Sequence, residues 1–411
     1  MILDAFNLRG KVAIVMHSNP VFALLGRRLR LAVIGGGPGS FIGPMHRMAA
    51  RLDDCYELVA GVLSSDPKRA IERGRAIGLP EGRGYDSVTA MLDAERGRTD
   101  GADVVAIMTP NDSHFSYAMA ALDRGFHLIC DKPMTNSLAE AQQLHARVVE
   151  KGMVFCLTHN YTGYPMTRQA RAMVAAGELG TIRLVQVEYV QGNRADDSKP
   201  DSVTGPRSWK NIPEKSGPSL VLGDIGSHAH NLLRYITGLE VMEVCAERGA
   251  IIPGRRTDDF AGALLRLGNG ARGSFWVTQA AAGMGNGLQI RVCGSKGSIE
   301  WRQETPQFLT FRPLVQTGLP METRIANGPG TLPLAARASR LVAGHPEGFP
   351  EAFANLYKDA AEVIAAHIAG VDPEPLALHF PTSADGLAGA LFIDAVIRSS
   401  DGGCWVSVSS V

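Results

Sequence analysis

A strand that runs straight into glycine constrains this chain more than any other feature. Leu31, Ala32, Val33 and Ile34 are followed by Gly35-Gly36-Gly37-Pro38-Gly39-Ser40-Phe41-Ile42-Gly43, and a helix is expected to begin near Pro44. Glycine lets such a turn tighten and lets main-chain N–H groups at the helix start come close to a pyrophosphate, so the pattern is that of a dinucleotide site. The spacing departs from G-x-G-x-x-G by three extra residues between Gly37 and Gly43, and a purely structural glycine turn would look the same. What favours a ligand is the place of the turn, on the first strand of a βα series. Gly35, Gly37, Ser40, Phe41 and Ile42 are the residues expected at the phosphates.

That series is legible downstream. Apolar runs at 31–34, 58–63, 104–108, 128–130 and 154–157 are separated by stretches long enough for crossover helices, which means a doubly wound parallel sheet. Residues 102–108 are nearly all apolar, as a strand covered on both faces requires. After about residue 180 the pattern changes to longer runs, at 182–190, 241–248, 261–267, 271–279 and 288–293, joined by turns such as Gly268-Asn269-Gly270. These are hairpin signals and predict a mostly antiparallel second sheet. The expected organisation is an extension at 1–28, a dinucleotide-binding domain at 29–157 and an α+β substrate and oligomerisation domain at 158–411, with the last helix free to pack back on the first domain. Residues 306–350 are expected to form loops and an oligomer contact, and 349–369 a helix with Phe353, Leu356, Ala360, Val363 and Ile364 on one stripe.

Composition narrows the function classes. Lys plus Arg equals Asp plus Glu at 41 each in 411 residues, which removes the electrostatic footprint of a nucleic-acid or anionic-membrane binder and points to a small-molecule partner. Six cysteines lie scattered without C-x-x-C spacing, so neither a metal knuckle nor a disulfide framework is expected and a reducing cytoplasm is the compartment predicted. No run reaches the roughly 18 apolar residues of a membrane span. Arg27-Arg28 invites comparison with a twin-arginine signal, but the apolar residues after it lead directly into the glycine turn. Residues 6–15 resemble the first strand of a short-chain dehydrogenase without its glycine turn, and are read as an extension or a fusion relic.

Four further clusters carry chemistry. After the second strand come Ser64-Ser65-Asp66-Pro67-Lys68-Arg69. Ser64 stands near where a ribose-binding carboxylate is expected, and Lys68 or Arg69 would attract a 2′-phosphate, whereas Asp66 would serve NAD or simply cap the next helix. NAD and NADP both stay open. Thr109, Pro110, Asn111 and His114 follow the 104–108 strand, at the end where open α/β sheets bind ligands. Asp131-Lys132-Pro133 follows the next strand, with proline fixing the turn that carries the lysine, although on position alone Lys132 could be a solvated surface charge. In Asp224-Ile225-Gly226-Ser227-His228, a helix would place Asp224 and His228 at i and i+4 on one face. A carboxylate there would hold the histidine tautomer and raise its basicity, as a base for an alcohol needs, while a cap and a surface pair remain the plain alternative.

Gly43 with His46 three residues on, Thr-Pro-Asn-x-x-His at 109–114, Asp-Lys-Pro at 131–133 and Asp-x-x-x-His at 224–228 together resemble the Gfo/Idh/MocA family of glucose-fructose oxidoreductases and inositol dehydrogenases. The resemblance implies a Rossmann domain followed by a large open sheet whose outer face builds a dimer or tetramer. It also implies NAD or NADP as cofactor and a sugar, inositol or related polyol as substrate, with no metal. By position Lys132 matches the family's catalytic lysine, with Asp131 in place of glutamate. The resemblance further implies that His228 accepts the hydroxyl proton, Asp224 orients it, and Lys132 hydrogen-bonds the same oxygen as hydride leaves for the nicotinamide. Asn111 and His114 would border that ring.

Two positions depart from the family pattern, Thr162 where an arginine is frequent and Asn231 where a carboxylate is, so a different substrate from the best-known relatives is expected. Asn160, Tyr161, Tyr164, Arg207, Trp209 and His230 are candidates for gripping hydroxyls or stacking on a sugar ring, each with an ordinary packing role as the alternative. The Gly344–Gly348 turn is expected to cap the helix that follows. The leading expectation is a dehydrogenase or reductase acting on a secondary alcohol. Its alternatives are a glycoside-cleaving enzyme that oxidises a ring carbon transiently and a non-catalytic cofactor-sensing regulator of the same fold.

Overall fold

A computed structural model describes residues 19–198 and 208–408. Five strands, β1 (Leu29–Gly35), β2 (Tyr56–Val62), β3 (Val104–Met108), β4 (His127–Cys130) and β5 (Phe155–Leu157), form an all-parallel sheet in the order β2-β1-β3-β4-β5. All five residues of β3 are buried, as its unbroken apolar run requires of a strand with helices on both faces. The order of connection reverses between β1 and β3, and the crevice at their carboxyl ends is where such sheets hold ligands. Gly35 pairs in register with Met108 there, which brings the glycine turn beside the Thr109 loop.

The second sheet has nine strands: β6 (Ile182–Gln191), β7 (Val241–Gly249), β8 (Phe260–Leu267), β9 (Arg272–Thr278), β10 (Asn286–Gly294), β11 (Gly297–Arg302), β12 (Phe308–Pro313), β13 (Glu322–Ile325) and β14 (Val406–Ser407). Their order is β13-β12-β11-β10-β6-β9-β8-β7-β14, antiparallel throughout except where β6 meets β9. Alternation decides its faces. Val185, Val187 and Tyr189 of β6 and Phe275 and Val277 of β9 enter the core, while Leu184, Leu264 and Trp276 remain exposed on the outer face.

The sheet corrects one expectation. Residues 306–350 contain β12, β13 and a helix, Pro333–Arg337, because Leu309 and Phe311 are inward residues of an alternating strand that the surrounding Pro and Gly obscured.

The packing also cuts across the division drawn along the chain. The long helix Phe349–Ala369 buries Phe353, Leu356, Tyr357, Ala360 and Ile364 in the core beneath β1, together with Val21 of the Pro20–Leu25 helix. His46 Nδ1 lies 2.7 Å from Tyr357 Oη. Gly348 caps this helix, its N–H donating to Glu351 Oε2 at 2.8 Å. The last helix, Ser383–Gly402, serves both bodies: Leu387 and Leu391 join the core on the other face of the parallel sheet, and Phe392, Ala395 and Val396 join that of the large sheet. Residues 6–15 and Arg207 lie outside the described residues.

Candidate active site

The glycine turn is built from close backbone approach. A Cβ on Gly36 would stand 2.2 Å from Met108 Sδ, one on Gly37 2.4 Å from Leu63 O, and one on Gly43 2.0 Å from Gly36 O. Gly35 and Gly36 also have φ of 83° and 65°, a region that side chains disfavour. Side chains are therefore excluded underneath, while Gly39 opens onto free space. The helix Ile42–Leu52 starts here with no acidic residue in its first turn. Ser40 Oγ accepts from Gly43 N at 3.2 Å, and Arg47 Nη1 donates to Gly36 O at 2.6 Å. A helix start without a carboxylate, under an open glycine lip, suits a pyrophosphate.

Beyond β2, Asp66 caps the helix Pro67–Ala76 by accepting from Arg69 N at 2.8 Å, and its own N–H donates to Ser64 Oγ at 3.1 Å. Ser65, Lys68 and Arg69 are exposed. Arg73 approaches the glycine turn itself, donating from Nη1 to Leu63 O at 3.3 Å with its Cδ 3.1 Å from the position of a Cβ on Gly37. No motif singles it out, although it lies one helical turn beyond Arg69.

Thr109 Oγ1 accepts from Ser113 Oγ at 2.7 Å, and Asn111 is buried in the short turn that follows. Pro110 is exposed at the rim. His114 is fully buried, with Nε2 2.9 Å from Thr109 O and Nδ1 2.9 Å from Pro133 O, so it staples the two loops together.

Asp131 Oδ1 accepts from Lys132 N at 2.9 Å and from Thr158 Oγ1 at 2.9 Å, which shapes the turn that projects the lysine. The Lys132–Pro133 peptide is cis. Lys132 Nζ reaches across to the second body, where it donates to the main-chain oxygen of Asp224 and lies 3.5 Å from Asp224 Oδ1.

Asp224 sits on a π-helical turn, Leu222–Gly226, that precedes the helix Ser227–Thr237. Such wide turns recur at functional sites. Asp258 anchors its approach, accepting from Val221 N at 3.1 Å and Ser219 Oγ at 2.5 Å. The wider pitch shifts Asp224 relative to His228, and the direct pairing expected from regular i, i+4 spacing is not made. The carboxylate goes instead to Lys210 Nζ, at 2.8 and 2.7 Å from its two oxygens, and to Gln279 Nε2 at 2.9 Å. Burial opposes its charge, but the Lys210 and Lys132 ammonium groups outweigh that and hold it well below the usual carboxylate range. Neither Lys210 nor Gln279 has a motif signal, since each reaches the site from a different segment.

His228 faces another ring. Its Nδ1 lies 3.3 Å from Nδ1 of His159, and the Tyr161 ring packs edge-on at 4.7 Å. Burial, with Lys132 and His159 adding to it and Asp224 opposing, holds His228 well below the ordinary histidine value and therefore neutral. Tyr161 Oη is 2.6 Å from Tyr189 Oη, and both phenols meet Asn286.

The other candidate substrate residues spread out. Tyr164 is buried against Trp301 in the core of the large sheet, and His230 stacks on Phe392 at 4.3 Å. Asn160 is buried with Nδ2 unpartnered. Trp209 stands beside Lys210, whose Nζ is 5.7 Å from its ring centre. Thr162 closes the turn after β5, its Oγ1 donating to His159 O at 2.9 Å, and Asn231 is buried with Oδ1 unpartnered. Among the described residues, no cluster of His, Cys, Asp and Glu could hold a metal.

Known proteins share this architecture. Residues 29–159 match the oxidoreductase family with an NAD-binding Rossmann fold, and residues 167–300 match the GFO/IDH/MocA C-terminal domain. The oxidoreductase YfiI of Bacillus subtilis is 34% identical over 93% of this chain and 98% of its own length. The inositol dehydrogenase homolog of Azotobacter vinelandii, solved with NAD+, superposes with a TM-score of 0.86 at 33% identity, covering 93% of this chain and 97% of that one. Levoglucosan dehydrogenase of Pseudarthrobacter phenanthrenivorans is 27% identical over 94% of this chain and 99% of its own. The glycine cradle fits the NAD that this Rossmann domain binds, and the chain belongs to the Gfo/Idh/MocA family of oxidoreductases.

Proposed function

We propose that this protein is a dehydrogenase that exchanges hydride between NAD(P) and a secondary alcohol of a sugar, inositol or related polyol. The observation that carries the reading is the meeting of Lys132, from the carboxyl end of the parallel sheet, with Asp224 beside neutral His228 from the second body. When bound, the cofactor supplies the hydride acceptor or donor. The chain supplies placement and proton handling. Lys132, tethered to Asp224, offers an N–H to the alcohol oxygen and favours its negative charge. His228, unprotonated, takes the hydroxyl proton, and the Asp224 charge nearby favours the imidazolium that forms. Tyr161, Tyr189 and Trp209 are aromatic surfaces and hydroxyls suited to a polyol.

The relatives support the substrate class: the Azotobacter vinelandii homolog has been solved with NADH and myo-inositol, and a levoglucosan dehydrogenase with NADH and levoglucosan. The apolar outer face of the large sheet, with Leu184, Leu264 and Trp276 exposed, supports a homo-oligomer.

The test is nicotinamide absorbance with NAD and NADP over a panel of inositols, aldoses and anhydrosugars. Turnover on at least one is expected, and folded, NAD-binding protein that turns over none overturns the reading. Lys210 gives a second check. Replacing it by Met removes one of the two cations on Asp224, so Asp224 should protonate at higher pH and the acid limb of its carboxyl-carbon NMR titration should move up. An unmoved limb would mean that Lys210 does not set this charge.

A further inference from the structure

The ring that takes the substrate proton in this scheme is held by another histidine. Nδ1 of His228 and Nδ1 of His159 stand 3.3 Å apart, the two rings crossed at 81°. Two bare nitrogens at that distance repel and two N–H groups collide, so one proton lies between them and the tautomers of the two neutral rings are locked in opposition. Both rings are buried, His159 to 3% and His228 to 7% exposure, which keeps water from relaxing that choice. His159 is itself set by main chain: its N–H donates to Leu157 O at 2.8 Å, and its carbonyl accepts from Thr162 N at 3.2 Å and Thr162 Oγ1 at 2.9 Å. Arg168 Nε then fixes that turn by donating to Thr162 O at 3.2 Å.

We infer that His159 is a positioning residue for the hydroxyl chemistry: it accepts the Nδ1 proton of His228, which leaves the Nε2 lone pair of His228 to take the proton of the substrate. The inference rests on His228 being the base. In the opposite arrangement His159 would donate, hydrogen would sit on His228 Nε2, and the ring could accept nothing from an alcohol. The proton count closes within the site. The substrate O–H bond breaks, its proton goes to His228 Nε2, and the resulting imidazolium keeps its Nδ1–H directed at the bare Nδ1 of His159. A hydrogen bond from a charged donor is stronger than one from a neutral donor, so the contact tightens as charge forms. Asp224 favours that charge on His228, while burial and the Lys132 ammonium oppose it.

Nitrogen NMR of the NAD-bound protein carrying isotope-labelled histidine tests this, with the His228 signals assigned through His228→Gln. His228 should appear as the Nδ1–H tautomer, and an Nε2–H tautomer overturns the inference. Among variants, His159→Phe keeps the ring shape without a nitrogen and should lower kcat by about 10–100-fold, by analogy with the loss of a partner that orients a metal-ligating histidine, with KM within about twofold. His159→Asn carries its amide oxygen near the place of Nδ1 and should recover most of that loss. Equal defects in the two variants count against positioning through the nitrogen. The spectrum is read without turnover, so inactivity on every polyol counts against the proposed function alone, and Nε2–H in an active enzyme counts against this inference alone.

Discussion

Lys132→Ala should lose about 10²–10⁴-fold in kcat while NAD binding stays near that of the unmutated protein. The lysine is held at its root by Asp131 and at its tip by Asp224, which fixes its ammonium for the role proposed for it. The glycine turn, Ser40 and Arg47 are untouched by the change, and Lys210 and Gln279 still hold Asp224. The loss therefore belongs to the reaction and not to the fold. Lys132→Arg should not restore it, because a planar guanidinium cannot occupy the place of a compact ammonium under the Asp224 carbonyl. Steady-state rates beside a fluorescence titration with NAD decide the matter. A kcat within about tenfold of the unmutated enzyme would remove Lys132 from the chemistry.

Asp359→Ala should cost about 3–5 kcal/mol of stability, read as a lower urea midpoint. Arg168 has a fully buried side chain and meets Asp359 Oδ2 at 2.6 Å, while Arg337 meets Oδ1 at 2.9 Å and Glu362 at 2.8 Å. Removal of the carboxylate leaves the Arg168 guanidinium buried without its counter-charge, the costly way to break such a pair. The cluster ties the Pro165–Ala175 and Pro333–Arg337 helices to the long helix Phe349–Ala369. Through Arg168 it also holds the Thr162 turn on which His159 depends. Asp359→Asn, which keeps one acceptor oxygen, should lose less. A midpoint unchanged in the alanine variant would show that the cluster relaxes without it.

Much of the architecture is a matter of local pattern. The glycine turn, the apolar run of β3, the alternation along β6 to β10 and the stripe of the Phe349–Ala369 helix are written in short-range periodicity, and strand or helix follows directly. Lys132, Asp224 and His228 were visible for the same reason, each beside a strand end or in a compact polar cluster within an apolar segment. β12 and β13 were hidden because four to six residues amid proline and glycine give too little periodicity to recognise.

What surrounds those three residues depends on long-range packing. Lys210, Gln279, Tyr189, Asn286 and His159 come from separate segments, and no pattern within any one segment says that they meet. The π-turn is equally silent in the sequence, yet it turned the expected carboxylate–histidine pair into a lysine–carboxylate–lysine bridge beside a pair of histidines. His228 and His230 show the limit most clearly. Both are histidines in the same helix, but two residues advance an α-helix by a little over half a turn, so one ring faces His159 and the other lies flat on Phe392. The residue types and their local periods specify which elements form and which groups can do chemistry. Which of those groups meet is decided by the packing of the two sheets and the long helices, because contacts between distant segments exist only once those surfaces are buried.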